Sequence, residues 1–124
     1  VKNAGADGMV MHAHIIGLDI GPDEPGDLGP MDNIGINDKE AGSTDIYSLP
    51  FNHPVSEIQG VELVVVKGND AWRVESISFQ FLDGGKKSKP YAFEVNQWFS
   101  AEKKDLDTIG AIKSKMFSFR PELE

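Results

Sequence analysis

No stretch of this 124-residue chain repeats apolar residues at i, i+3, i+4 and i+7 for three turns, whereas several alternate apolar and polar residues between Gly, Pro, Asn and Asp. Such a chain buries one face of a pleated ribbon, not a helical stripe. The pattern predicts strands over Met9–Gly17, Asp32–Asn37, Thr44–Leu49, Val61–Lys67, Trp72–Leu82, Tyr91–Trp98 and Ala111–Phe119. Seven strands at this spacing predict an all-β fold, an antiparallel β-sandwich of about seven to eight strands. The length allows one core. Residues 1–8 read as a disordered N-terminal segment and 9–120 as one sandwich. Residues 121–124 read as a tail, whose Leu123-Glu124 pair suggests a cloning remnant.

Alternation also assigns faces. In the first strand Met9, Met11, Ala13 and Ile15 share the expected core face, and His12 and His14 share the other with Val10 and Ile16. Trp72 and Val74 differ in parity from Ile77, Phe79 and Phe81, so keeping all five inside requires an extra residue near Glu75-Ser76, a β-bulge. Tyr91, Phe93 and Val95 alternate correctly and Trp98 falls out of phase, which predicts that the chain turns over the sandwich end after Asn96. Ser100–Asp107 reads as a loop or one helical turn.

The second half resembles the PLAT domain, the β-sandwich found in lipoxygenases, pancreatic-type lipases and polycystin-like proteins. The residues that carry the likeness are Trp72, Val74, Ile77 and Phe79, then the turn DGGKKSKP, then Tyr91, Phe93, Val95 and Trp98-Phe99. The preceding SEIQGVELVVVKGNDAW is similar to the family's approach to that Trp. In the first half, HAHIIGLDI and PMDNIGIN resemble the family's first two strands, with Asp19 and Asp32 at its Asp positions and Pro30-Met31 where the family has Gly-Thr. The likeness spans roughly 9–99. It implies a non-catalytic module that docks a larger protein onto a protein partner or a membrane and lipid interface.

Charge is concentrated. The chain carries −8, and between Leu18 and Ile46 eight acids stand against one base, Lys39, so this stretch alone holds −7. That argues against nucleic acid as a partner. Hard cations such as Ca²⁺ take six to eight oxygen ligands, which an irregular, acid-rich loop can supply. Asp19, Asp23, Glu24, Asp27 and Asp32 are candidate ligands, with Asn33 as a neutral donor. The resemblance adds Asn69 and Asp70 from a second loop. A solvated loop kept soluble by its charge explains the same residues. His12 and His14 could converge on a transition metal, or simply face water. Trp98 and Phe99 are candidate contacts for a lipid interface or ligand. Lys86 and Lys87, with Lys89 beside them, would meet anionic headgroups.

The catalytic inventory is poor. The sequence has no cysteine, no G-x-S-x-G, no phosphate loop and no H-E-x-x-H. No run of about 18 apolar residues is present, so no spanning helix is expected, and no signal peptide is visible. The reading is an accessory binding module, with Ca²⁺ as its one candidate cofactor. A carbohydrate-binding sandwich is the alternative, using Trp98, Tyr91 or Trp72 as a stacking platform.

Overall fold

A computed structural model describes residues 9–18, 26–31, 46–68 and 71–124. Eight strands are seen among them: β1 (Met9–Gly17), β2 (Asp27–Leu28), β3 (Ile58–Gly68), β4 (Trp72–Phe79), β5 (Leu82–Asp83), β6 (Lys86–Lys87), β7 (Tyr91–Phe99) and β8 (Ser114–Ser118). One short helix, α1 (Lys103–Thr108), precedes the last. The strands pair antiparallel in a four-stranded sheet of order β2-β1-β3-β8, a β4-β7 pair and a β5-β6 hairpin. This is the expected all-β sandwich.

The two main sheets close on one core. β1 contributes Met9, Met11, Ala13 and Ile15, all buried; β3 contributes Ile58, Val61, Leu63 and Val65. Val74, Val95, Phe99 and Phe117 fill the space between the sheets. Phe79, Phe93, Phe117 and Phe119 form an aromatic cluster with ring centroids 5.1–6.1 Å apart, where edge and tilted contacts add to the burial. Gly60 is needed where β3 meets β8, because a Cβ there would stand 2.5 Å from the Phe117 carbonyl oxygen.

The predicted irregularity at Glu75-Ser76 is present, but its extra residue belongs to the partner strand. Val74 pairs with Gln97 and Ser76 with Glu94, so Val95 and Asn96 together stand opposite Glu75. Asn96 takes the left-handed φ of 52° that asparagine tolerates better than most residues. β7 therefore kinks at Asn96 and runs on to Phe99, and does not leave the sheet there. All five apolar residues from Trp72 to Phe81 pack on the core, with Glu75 and Ser76 both exposed.

Other boundaries shift. The expected strand over 32–37 lies outside the described residues. Ile46–Leu49 form no strand, and Ile46 is exposed. The expected Trp72–Leu82 strand ends at Phe79, and the last one begins at Ser114 instead of Ala111. Residues 121–124 are bound to the fold, since Leu123 bridges Ser88 and the Glu124 amide donates to the Lys87 carbonyl at 3.0 Å. Ser100–Asp107, expected as a loop or one helical turn, holds most of α1, tied down by the buried Ser100 hydroxyl, which donates to Asp105 at 2.8 Å and accepts from the Glu102 amide at 3.0 Å.

Candidate interaction site

The β5-β6 hairpin is built by Asp83-Gly84-Gly85-Lys86. Both glycines have positive φ, 56° and 84°, as a two-residue turn matched to strand twist requires. Nothing lies within 4 Å of a Cβ built at either, so backbone conformation alone calls for glycine. The base is hydrogen-bonded. Ser88, 1% exposed, exchanges backbone and side-chain bonds with Phe81, and Gln80 donates to its carbonyl at 2.9 Å. Phe81 takes the inward position, which by strand alternation turns Leu82 outward.

Leu82 is 70% exposed. It pairs with Lys87, and Asp83 pairs with Lys86; both lysines are exposed. Lys89 follows, its ammonium 5.5 Å from the Tyr91 ring centroid, within cation-π range. The hairpin from Leu82 to Lys89 thus carries three bases, one acid and an unburied leucine in a chain of net charge −8. Glu122 and Glu124 border its base through the Tyr91 hydroxyl and the Lys87 carbonyl.

The four expected contact residues do not form one site. Lys86 and Lys87 lie beyond the start of β7, and Trp98 and Phe99 at its end, roughly 20 Å away at the rise of an extended strand. Phe99 is 0% exposed and has no surface to offer. It shares the inward parity of Phe93 and Val95, which leaves the adjacent Trp98 on the outer face, half-buried and paired with Arg73. Leu82 escaped the sequence reading, although its parity relative to Phe79 and Phe81 and the Asp-Gly-Gly that follows both marked it as an outward residue beside a turn.

Of the expected calcium ligands, Asp19, Asp23, Asp32 and Asp70 lie outside the described residues, as do Glu24, Asn33 and Asn69. Asp27 is described: it is exposed and its carboxylate meets His12 Nδ1 at 2.9 Å. Among described residues beside the others, Leu18 donates its amide hydrogen to the Glu57 carbonyl, whereas Gly68 pairs with Met9 at the opposite end of β1. No group of three or more His, Asp or Glu gathers to hold a metal among the described residues. Of the aromatic platforms, Trp72 packs on the core and Tyr91 stacks on Phe119 at 5.1 Å. Among the described residues no helix is long and apolar enough to cross a membrane.

The fold is an antiparallel sandwich that carries an exposed leucine and a cluster of lysines on a hairpin. The particular family follows from the sequence. The PLAT/LH2 domain model matches residues 25–112, most of the chain, and the chain belongs to that family. No curated protein and no solved structure matches it. PLAT domains are non-catalytic accessory modules for lipid and protein interaction.

Proposed function

We propose that this domain docks a larger protein onto an anionic lipid interface through the β5-β6 hairpin. The observation that carries the reading is Leu82, 70% exposed and flanked by Lys86 and Lys87 on a hairpin whose base is hydrogen-bonded through Ser88. Folding leaves it in water, where a bilayer surface would receive it. Full burial of such a side chain contributes about 2 kcal/mol, and each lysine near an anionic surface about 1 kcal/mol. Together Leu82, Lys86 and Lys87 supply about 4 kcal/mol, a dissociation constant near millimolar. Glu122 and Glu124 at the base subtract from it. An interaction of that size orients a protein at a surface and needs a second attachment to hold it there.

The test is co-sedimentation with vesicles of phosphatidylcholine alone or mixed with phosphatidylglycerol, at low and high salt. Binding is expected only with the anionic lipid, is weakened by salt, and is lost in Lys86→Glu/Lys87→Glu. Leu82→Ser reduces it, and Glu122→Gln/Glu124→Gln strengthens it. Equal binding to both vesicles, or binding indifferent to these residues, refutes the reading and turns attention to a protein partner. Calcium is a separate arm of the proposal, with the acid-rich stretch as its ligand source. The ion would cancel carboxylate repulsion and allow headgroups to approach. Repeating the assay in EDTA and in millimolar Ca²⁺ decides whether it takes part.

A further inference from the structure

The four-stranded sheet ends at β8, and among the described residues no strand pairs with its outer edge. Hydrogen-bond parity shows which backbone groups that edge offers. The Val65 amide donates to the Lys113 carbonyl at 2.7 Å and the Phe119 amide to the Gln59 carbonyl at 3.3 Å, while Lys115 stands opposite Leu63 and Phe117 opposite Val61. Odd-numbered residues therefore direct their N–H and C=O groups at β3. Because these directions alternate along an antiparallel strand, Ser114, Met116 and Ser118 direct theirs away from the sheet. All three are exposed, Met116 at 48%. β8 contains no proline and its ladder with β3 has no register shift, so nothing in the strand itself blocks a further ladder.

The two faces of this edge differ. Ser114, Met116 and Ser118 share the outer face, where Met116 stands opposite Glu62. Lys113 and Lys115 share the parity of the buried Phe117. Lys113 is exposed, and the Lys115 ammonium lies 5.9 Å from the Phe117 ring centroid. Arg120 follows, also exposed, and no acid stands between Gly110 and Pro121. The edge is thus a basic strand in a chain of net charge −8. A second copy fits it poorly. Antiparallel self-pairing centred on Met116 would line up the bases of both copies along one seam, and lysines on an edge strand keep copies apart.

We propose that the outer edge of β8 receives an extended acidic segment of a partner protein as an added strand, its acids opposite Lys113 and Lys115 and an apolar residue opposite Met116. Backbone bonds to Ser114, Met116 and Ser118 supply the ladder, and side-chain alternation supplies the choice of partner. Residues directly opposite one another in a sheet share a face, so a strand that alternates acidic and apolar residues meets both requirements at once. Glu62 on the outer face repels the register slipped by one residue, which would set the acids beside Met116. The site is separate from the β5-β6 hairpin and does not depend on that hairpin meeting lipid.

The probe is an acetylated, amidated peptide of alternating Val and Glu, long enough to span β8, titrated into the whole chain while amide hydrogen exchange is followed by NMR. In the free protein the Ser114, Met116 and Ser118 amides are expected to exchange fast and those of Lys115 and Phe117 slowly. The peptide should slow the first three alone, by about tenfold once its concentration is about ten times the dissociation constant. Lys113→Glu/Lys115→Glu should weaken binding about tenfold, and a peptide of alternating Val and Lys should not bind. Met116→Pro should abolish the effect at Ser114 and Ser118 without loss of fold, because the amide it removes makes no bond to β3. If that variant does not fold, the Val-Glu peptide N-methylated at alternate residues serves as the non-binding control. Three results overturn the proposal: no slowing with the Val-Glu peptide at millimolar concentration, equal slowing with the Val-Lys peptide, or slow exchange at these amides that rises with protein concentration before any peptide is added, which assigns the edge to a second copy.

Discussion

Replacing Phe99 by Ala tests the placement on which the reassignment of the Trp98-Phe99 pair depends. Phe99 is the largest fully buried side chain among the described residues, 0% exposed, paired with Trp72 across β4-β7 and bridged to Ile112. Truncating such a ring removes its transfer free energy and leaves a cavity, together about 3–5 kcal/mol. For a domain of this size each kcal/mol lowers the melting temperature by about 3–5 °C, so the variant should melt about 10–20 °C below the parent. That loss is a large fraction of the 5–15 kcal/mol of a typical domain. Trp98→Ala removes a half-buried ring whose cross-strand partner is Arg73, an interaction of about 1 kcal/mol or less, and should move the midpoint by about 5 °C at most. The assay is thermal unfolding followed by circular dichroism, and Phe99→Leu serves if the alanine variant does not fold. A Phe99→Ala midpoint within about 3 °C of the parent, or a larger loss from Trp98→Ala, would refute the burial argument.

The remaining predictions concern backbone approach, a buried hydroxyl and the acid-rich stretch. Gly60→Ala forces the Phe117 carbonyl away from β3 and should cost about 1–3 kcal/mol in a denaturant titration, with the slope unchanged. Asp105→Ala removes the acceptor of the fully buried Ser100 hydroxyl and should cost about 1–3 kcal/mol; Ser100→Ala combined with it should add less than its own single effect, because the two side chains share that bond. A native-state calcium site raises the melting midpoint in millimolar Ca²⁺ over EDTA, by mass action equivalent to about 2.7 kcal/mol at a hundredfold excess over the dissociation constant. Asp19→Asn with Asp32→Asn should abolish that rise, and identical midpoints in EDTA and Ca²⁺ would remove calcium from the proposed function.

Much of the fold was legible because strand alternation is a local property. The face Met9, Met11, Ala13 and Ile15, the outward histidines and an irregularity near Glu75-Ser76 all followed from side-chain parity, and composition left Ser100–Asp107 as a loop or one helical turn. The misplaced parts were those that depend on which strand meets which. Parity within β4 required an offset, but only its register with β7 shows that Val95 and Asn96 supply the extra residue. Adjacent aromatic residues at Trp98-Phe99 looked equivalent as candidates, and strand phase separated them into an outer and an inner ring.

The chain's own residues determine that it forms an all-β sandwich of the PLAT/LH2 family, because alternation, turn residues and the Trp72-to-Phe99 pattern are written in short segments whose chemistry needs no distant partner to be read. Tertiary structure alone decided that Leu82 pairs with Lys87 across its hairpin, that Phe99 is sealed in the core, and that Asp27 meets His12, fifteen residues back along the chain. Each of these is a contact, or the lack of one, between residues brought together by strand pairing, and register across a sheet is set by the burial of whole faces at once.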